Sequence, residues 1–216
     1  MGSALEDILE PQNCVLIVID MQNRFCHPQE KFAKDGKDIT PMQSVSTHIK
    51  KLIDFAHSKN IPVIFTRIFD NENKLTEPGK RRYRKWVEAG EEPLVGPKEN
   101  TFGADYYEVN PEPQDLEITK YDWSAFTGKD KNGKSLEEIL RDIGRNTLVV
   151  TGVKTEVCVG TTIRDAYTRG YFVVVPKEAV GSDSKDLHEA NLKNFDPIYG
   201  DVVEEKEIEE IWQQPT

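Results

Sequence analysis

Cysteine is scarce in this 216-residue chain, and what is missing around it is informative. Cys14, Cys26 and Cys158 are widely spaced, odd in number and form no CxxC pair, so neither a disulfide framework nor a zinc knuckle is indicated. A reducing compartment, the cytoplasm, is the default location. No run of about 18 apolar residues is present, so no membrane-spanning helix is expected. The opening MGSALEDILE lacks a basic segment followed by an apolar core, and no secretory signal is read there. No GxGxxG follows the first apolar run, which removes the backbone cradle that a dinucleotide-dependent oxidoreductase needs. Positive charge is in deficit: the net charge of −10 argues against nucleic acid or an anionic membrane as partner. Histidine is also sparse. His27, His48, His57 and His188 show no ligand spacing, so neither a metal nor another cofactor is expected.

What is present alternates between two periods. Cys14–Asp20 (CVLIVID) is a short, continuous, β-branched apolar run, the pattern of a strand buried on both faces of a parallel sheet. Val45, Ile49, Leu52, Ile53 and Ala56 then recur at helical spacing behind Thr40-Pro41, a helix start. Pro62–Phe69 reads as the second strand. Residues 70–114 break the rhythm with Pro78, Pro93, Pro97, Pro111 and Pro113. They are predicted to form a loop excursion with one short helix near Arg82–Ala89, covering a site.

Regularity returns with a strand at Leu116–Thr119 ending at Lys120, and a helix at Ser135–Gly144 with a serine cap and a glycine stop. Further strands are predicted at Thr147–Thr151 and Tyr171–Pro176, with a helix from Val157 to Gly170 between them. A helix at Ser184–Phe195, an edge strand at 200–204 and a terminal helix at 204–214 complete the chain. The alternation predicts one α/β domain over residues 1–216, with right-handed crossovers.

In open α/β sheets the reactive groups collect at the carboxyl ends of the strands. Three side chains fall there: Asp20, Lys120 and Cys158. A free thiol ionises near ~8.5, and a cation or a helix start beside it lowers that value. Lys120 and the helix beginning near Glu156–Val157 are expected to do so. Asp20 can take the thiol proton and return it to a leaving amine. The backbone N–H groups of Lys154 and Cys158 can meet a developing oxyanion. These parts suffice to attack an amide-type carbon, form a thioester, release an amine and hydrolyse the thioester. Taken singly, the three residues have ordinary readings as a cap, a surface lysine and a packed thiol. A redox-sensing role for Cys158 lacks a resolving cysteine.

Three segments, VLIVIDMQNRF, KYDWSAFTGKD and VVTGVKTEVCVGTTIRDAYTRGY, together resemble the isochorismatase-like cysteine hydrolases over residues 14–200. The resemblance implies a three-layer αβα sandwich, Rossmann-like, around a mostly parallel six-stranded sheet. It implies a catalytic triad of Asp20, Lys120 and Cys158, and a non-proline cis peptide at Val153–Lys154 that shapes the oxyanion hole. It also implies a homo-oligomer, dimer or tetramer. Cys158 favours hydrolysis of a C–N bond over the vinyl-ether cleavage of isochorismatases, which remains an alternative. A nicotinamidase-like amidase is the other alternative, but the segment after the second strand lacks the histidines of that metal site. A metal-free amidohydrolase acting on a small amide, ureido or N-carbamoyl group is the expectation. Asn23, Phe25, Trp123 and Phe126 are the candidate substrate-binding residues. Arg67, Arg82 and Arg84 are candidates to pair with a substrate carboxylate. Cys14 is assigned to the core.

Overall fold

The computed structural model describes residues 4–91, 93 and 96–214. Residues 1–3 of the opening segment, and 92, 94 and 95 of the excursion, lie outside the described residues. Strands are β1 (Cys14–Ile19), β2 (Val63–Ile68), β3 (Leu116–Lys120), β4 (Thr147–Val153), β5 (Phe172–Pro176), β6 (Val180–Gly181) and β7 (Asp201–Val203). Helices are α1 (Ala4–Ile8), α2 (Asn23–Cys26), α3 (Lys31–Lys34), α4 (Thr40–Ser58), α5 (Glu77–Glu88), α6 (Leu136–Ile143), α7 (Gly160–Thr168), α8 (Lys185–Phe195) and α9 (Glu205–Gln213).

The sheet runs β3-β2-β1-β4-β5-β7, with every pairing parallel and β6 beside β4. The six strands of that path match the expected α/β sheet. The seventh, β6, is two residues long and too short to leave a periodic signal. Every residue of β1 and of β4 is buried, as a sheet covered on both faces requires. The strand order reverses between β1 and β4. With right-handed crossovers, helices before and after the reversal fall on opposite faces. α4 packs on β1, β2 and β4 and carries α9 on its flank, while α7 packs on β5 and α8 on β7. α4 buries Val45, Ile49, Leu52, Ile53 and Ala56, the stripe that gave it away in the sequence. α6 begins in a capping box between Ser135 and Glu138 and stops at Gly144 in the left-handed region.

Beyond β6 and the short helices α1, α2 and α3, which were not predicted, two elements differ from the sequence expectation. The helix placed near Arg82–Ala89 starts at Glu77, because the Thr76 hydroxyl caps the Gly79 N–H and Pro78 fits the first turn. The stretch before α7 is a π-turn over Thr155–Val159, so Cys158 sits inside an irregular turn rather than at an α-helical start. Among the described residues no helix is long and apolar enough to cross a membrane.

Candidate active site

The reversal of strand order leaves a crevice between the carboxyl ends of β1 and β4, and the candidate residues gather there. Asp20 follows Ile19 directly and adopts a left-handed backbone (φ 48°), which turns the chain out of β1. Lys120 closes β3, two strands away, level with Ile68 of β2. The ammonium reaches Asp20 Oδ2 at 2.7 Å, with both side chains fully buried. Lys120 Nζ also donates to the carbonyls of Asp122 (3.2 Å) and Trp123 (3.0 Å). Two fixed backbone oxygens thus help to hold the ammonium in place.

Thr66, in the middle of β2, donates its hydroxyl to Asp20 Oδ1 at 2.6 Å. Thr66 was not among the residues predicted for the site; its signal was a hydroxyl beside Arg67 in a strand whose other members are apolar.

Cys158 completes the cluster: its thiol interacts with both Asp20 and Lys120. β4 delivers it through Gly152, whose φ of +108° suits glycine alone. A Cβ there would stand 2.1 Å from the Ile19 carbonyl oxygen. The Val153–Lys154 peptide that follows is cis. The π-turn is tied down from the other side by Thr162, which donates to the Cys158 carbonyl (2.7 Å) and accepts from the Ala125 N–H (3.0 Å). The segment after Lys120 and the turn bearing Cys158 are thereby held together.

The electrostatics differ from the sequence expectation. Burial raises the Cys158 thiol well above the ordinary cysteine value, Lys120 pulls it back only in part, and Asp20 pushes it further up. That direction is opposite to the lowering that a lysine and a helix start were expected to produce. Burial alone would depress the Lys120 ammonium, but Asp20 first and Cys158 second outweigh it and hold it above the usual lysine value. The other two cysteines are core groups. Burial pushes the Cys14 thiol up to about 12, and it raises Cys26 as well.

A cavity of about 330 Å³ opens on Cys158. Of the three clustered side chains, Cys158 alone lines it; Asp20 and Lys120 lie behind the sulfur. Phe25, Phe32, Trp86 and Trp123 wall the cavity, Val153 and Lys154 lie at its inner end, and α5 contributes Arg82. Phe25 and Trp123 are thus brought to the cavity. Asn23 and Phe126 are not. The Asn23 amide is committed to the Phe102 carbonyl at 3.0 Å, and Phe126 faces Tyr171 and lies under the Arg169 guanidinium. Arg67 is also diverted: it pairs with Glu117 at 3.1 Å and stacks on Tyr106. Arg84 does not line the cavity.

The Lys154 side chain is neutralised by Glu156 (3.0 Å) and by an ion pair with Asp183. His48 and His57 on α4 bind Glu205 and Asp115, His188 meets the Thr155 hydroxyl and His27 accepts from the Gln29 N–H. None of the four lines the cavity. Among the described residues no group of three or more His, Cys, Asp or Glu side chains is arranged to hold a metal ion.

The chain matches the isochorismatase domain over residues 14–207. It is similar to the ureidoacrylate amidohydrolase RutB of Methylobacterium radiotolerans, with 30% identity over 205 residues that cover 89% of this chain and 76% of that protein. Among solved structures it resembles a cysteine hydrolase from Pseudomonas syringae pv. phaseolicola, with a TM-score of 0.77, 22% identity and coverage of 94% of both chains. It also resembles the N-carbamoylsarcosine amidase of Thermoplasma acidophilum, with a TM-score of 0.69, 22% identity and coverage of 89% of this chain and 96% of that one. Both structural likenesses speak for the fold.

Proposed function

The chain belongs to the isochorismatase domain family and is a hydrolase of carbon–nitrogen bonds; from that premise we propose a cysteine amidohydrolase that cleaves a small amide, ureido or N-carbamoyl substrate through a thioester on Cys158. The observation that carries this reading is the arrangement of the three groups. A thiol faces a cavity, and a fully buried carboxylate–ammonium pair stands behind it.

In the proposed reaction the substrate carbonyl docks against Cys158. Asp20 takes the thiol proton as Sγ attacks, so the C–S bond forms while the carbonyl oxygen gains charge. The N–H groups of Lys154 and Cys158 meet that oxygen. Asp20 then hands the proton to the nitrogen as the C–N bond breaks, and the amine or ammonia leaves. Water, deprotonated by Asp20, adds to the thioester. The C–O bond forms, the C–S bond breaks and the sulfur recovers its proton. Lys120 stays charged throughout and holds Asp20 in place. No cofactor takes part in this sequence. The proposal includes a reducing, cytoplasmic setting in which the three thiols stay free, and a dimeric or tetrameric assembly, which light scattering on the purified protein reads directly.

The test is ammonia release from a panel of ureido acids, N-carbamoyl amino acids, biuret-like compounds and simple amides. Cys158→Ala is expected to abolish release, and intact-mass analysis during turnover is expected to show the acyl adduct on the wild type. Full activity in the alanine variant would end the reading.

A further inference from the structure

The basic cluster GKRRYRKW has no part in the chemistry above, yet the fold sets it at the cavity. α5 (EPGKRRYRKWVE) carries five cations against two carboxylates in a chain whose net charge is −10. It buries none of its residues, so packing does not account for its composition. Arg82 and Trp86 stand four residues apart, hence on one face, and both line the cavity that opens on Cys158.

The charges at that cavity cancel, with one exception among the described residues. Asp20 neutralises Lys120, and Glu156 and Asp183 together offset Lys154 and Lys37. Of the α5 cations, Lys80 is paired with Glu77. Arg82 makes no ion pair or hydrogen bond among the described residues. The cavity therefore has a thiol at its inner end, aromatic walls along its length and an uncompensated guanidinium at its solvent end.

We propose that Arg82 is a specificity-determining residue that selects substrates carrying a carboxylate distal to the scissile C–N bond. This inference rests on the amidohydrolase reading and narrows it to acids. A guanidinium presents a planar fork that fits a carboxylate in a bidentate manner, and a point-charge amine does not. The aromatic walls between Arg82 and Cys158 suit an apolar or unsaturated linker between the two polar ends of the substrate. Arg81, Arg84 and Lys85, the other cations of α5, give this end of an acidic protein a locally positive approach, which raises the encounter rate for anions.

The experiment compares ureido and N-carbamoyl acids with their methyl esters, which keep the scissile group and remove the charge. In the wild type kcat/KM is expected to favour the acid at least tenfold. In Arg82→Gln that acid-to-ester ratio is expected to fall at least tenfold, through KM for the acid, and Arg82→Lys is expected to recover part of it. A wild-type ratio near one, or a ratio that Arg82→Gln leaves where it was, overturns the inference. Cys158-dependent ammonia release from neutral amides alone also overturns it and leaves the amidohydrolase reading standing. Release from nothing in the panel overturns both.

Discussion

The ion pair behind the thiol permits a demanding test that needs no substrate. Lys120 Nζ and Asp20 Oδ2 are 2.7 Å apart and neither side chain touches solvent. At that separation, and at an effective dielectric constant of about 20, their attraction is about 6 kcal/mol. Removing one partner strands the other charge in a dry site, so Asp20→Asn and Lys120→Met are each expected to cost about 3–5 kcal/mol. The double variant replaces the pair by neutral groups of similar volume and is expected to lie within about 2 kcal/mol of the wild type. Urea unfolding followed by tryptophan fluorescence then yields a favourable coupling of about 3 kcal/mol or more.

The pH dependence supplies a second sign. In the wild type the Lys120 ammonium titrates above its reference value of 10.5, so its contribution is complete below that pH and is lost as pH climbs through the folded value. Asp20→Asn removes the largest influence that raises it and leaves burial in control, which drives the folded value below 10.5. The unfolded chain then holds the extra proton, and stability is expected to rise with pH between about 8 and 10. Coupling below about 1 kcal/mol, or an Asp20→Asn protein whose stability tracks the wild type across that window, would refute the reasoning.

Three further perturbations read neighbouring parts of the site. Thr66→Val removes the 2.6 Å hydrogen bond to Asp20 without changing volume, and it is expected to cost about 1–3 kcal/mol in stability and roughly tenfold in kcat. Thr66→Ser should restore kcat, and a valine variant with normal turnover would deny Thr66 a positioning role. Iodoacetamide is expected to label native Cys158 slowly near neutral pH, with a rate that keeps rising past the ordinary cysteine range near ~8.5. A plateau reached by pH ~7 would mean that a thiolate already exists. Gly152→Ala would drive a Cβ to 2.1 Å from the Ile19 carbonyl at a φ reserved for glycine, and a loss of about 3 kcal/mol or more is expected in thermal or urea unfolding.

The features legible in the sequence were those written locally. β1 announced itself as an unbroken apolar run because helices cover both faces of the sheet. α6 carried its own cap and its own stop. The placement of Asp20, Lys120 and Cys158 near one another followed from topology, since strand ends of a parallel sheet share an edge. The features that stayed hidden depend on contacts across long stretches of chain. Asn23 looked available, but Phe102, 79 residues on, claims its amide. Thr66 gains its importance from Asp20, 46 residues earlier. Phe126 follows Lys120 closely in sequence, yet the 3₁₀ turn at Ala125–Thr127 carries it to the α7 side of the sheet, against Tyr171. Helix α5 was foreseen but begins earlier than expected, at Glu77, because Pro78 reads as an interruption until Thr76 is seen capping the turn that contains it.

The upward push of burial on the Cys158 thiol was the least legible feature, and it bears on the path of the proton in the proposed reaction. With the sulfur protonated, the buried cluster holds the Asp20–Lys120 ion pair and a neutral thiol, so its net charge is zero. A thiolate formed in advance by loss of its proton to solvent would leave a net negative charge among side chains that are fully buried or nearly so, whereas transfer of that proton to Asp20 keeps the total at zero. Burial opposes the first route and outweighs the pull of Lys120 on the Cys158 thiol. If the proton moves to Asp20 only as the C–S bond forms, the negative charge passes from the carboxylate to the substrate oxygen and the total never changes. Lys120 remains the counter-cation on one side, and the backbone N–H groups receive the displaced charge on the other. Asp20, rather than solvent, is therefore the proton acceptor that keeps the buried cluster neutral. The slow alkylation expected of the free enzyme follows from the same dry enclosure, which opposes loss of the proton to solvent.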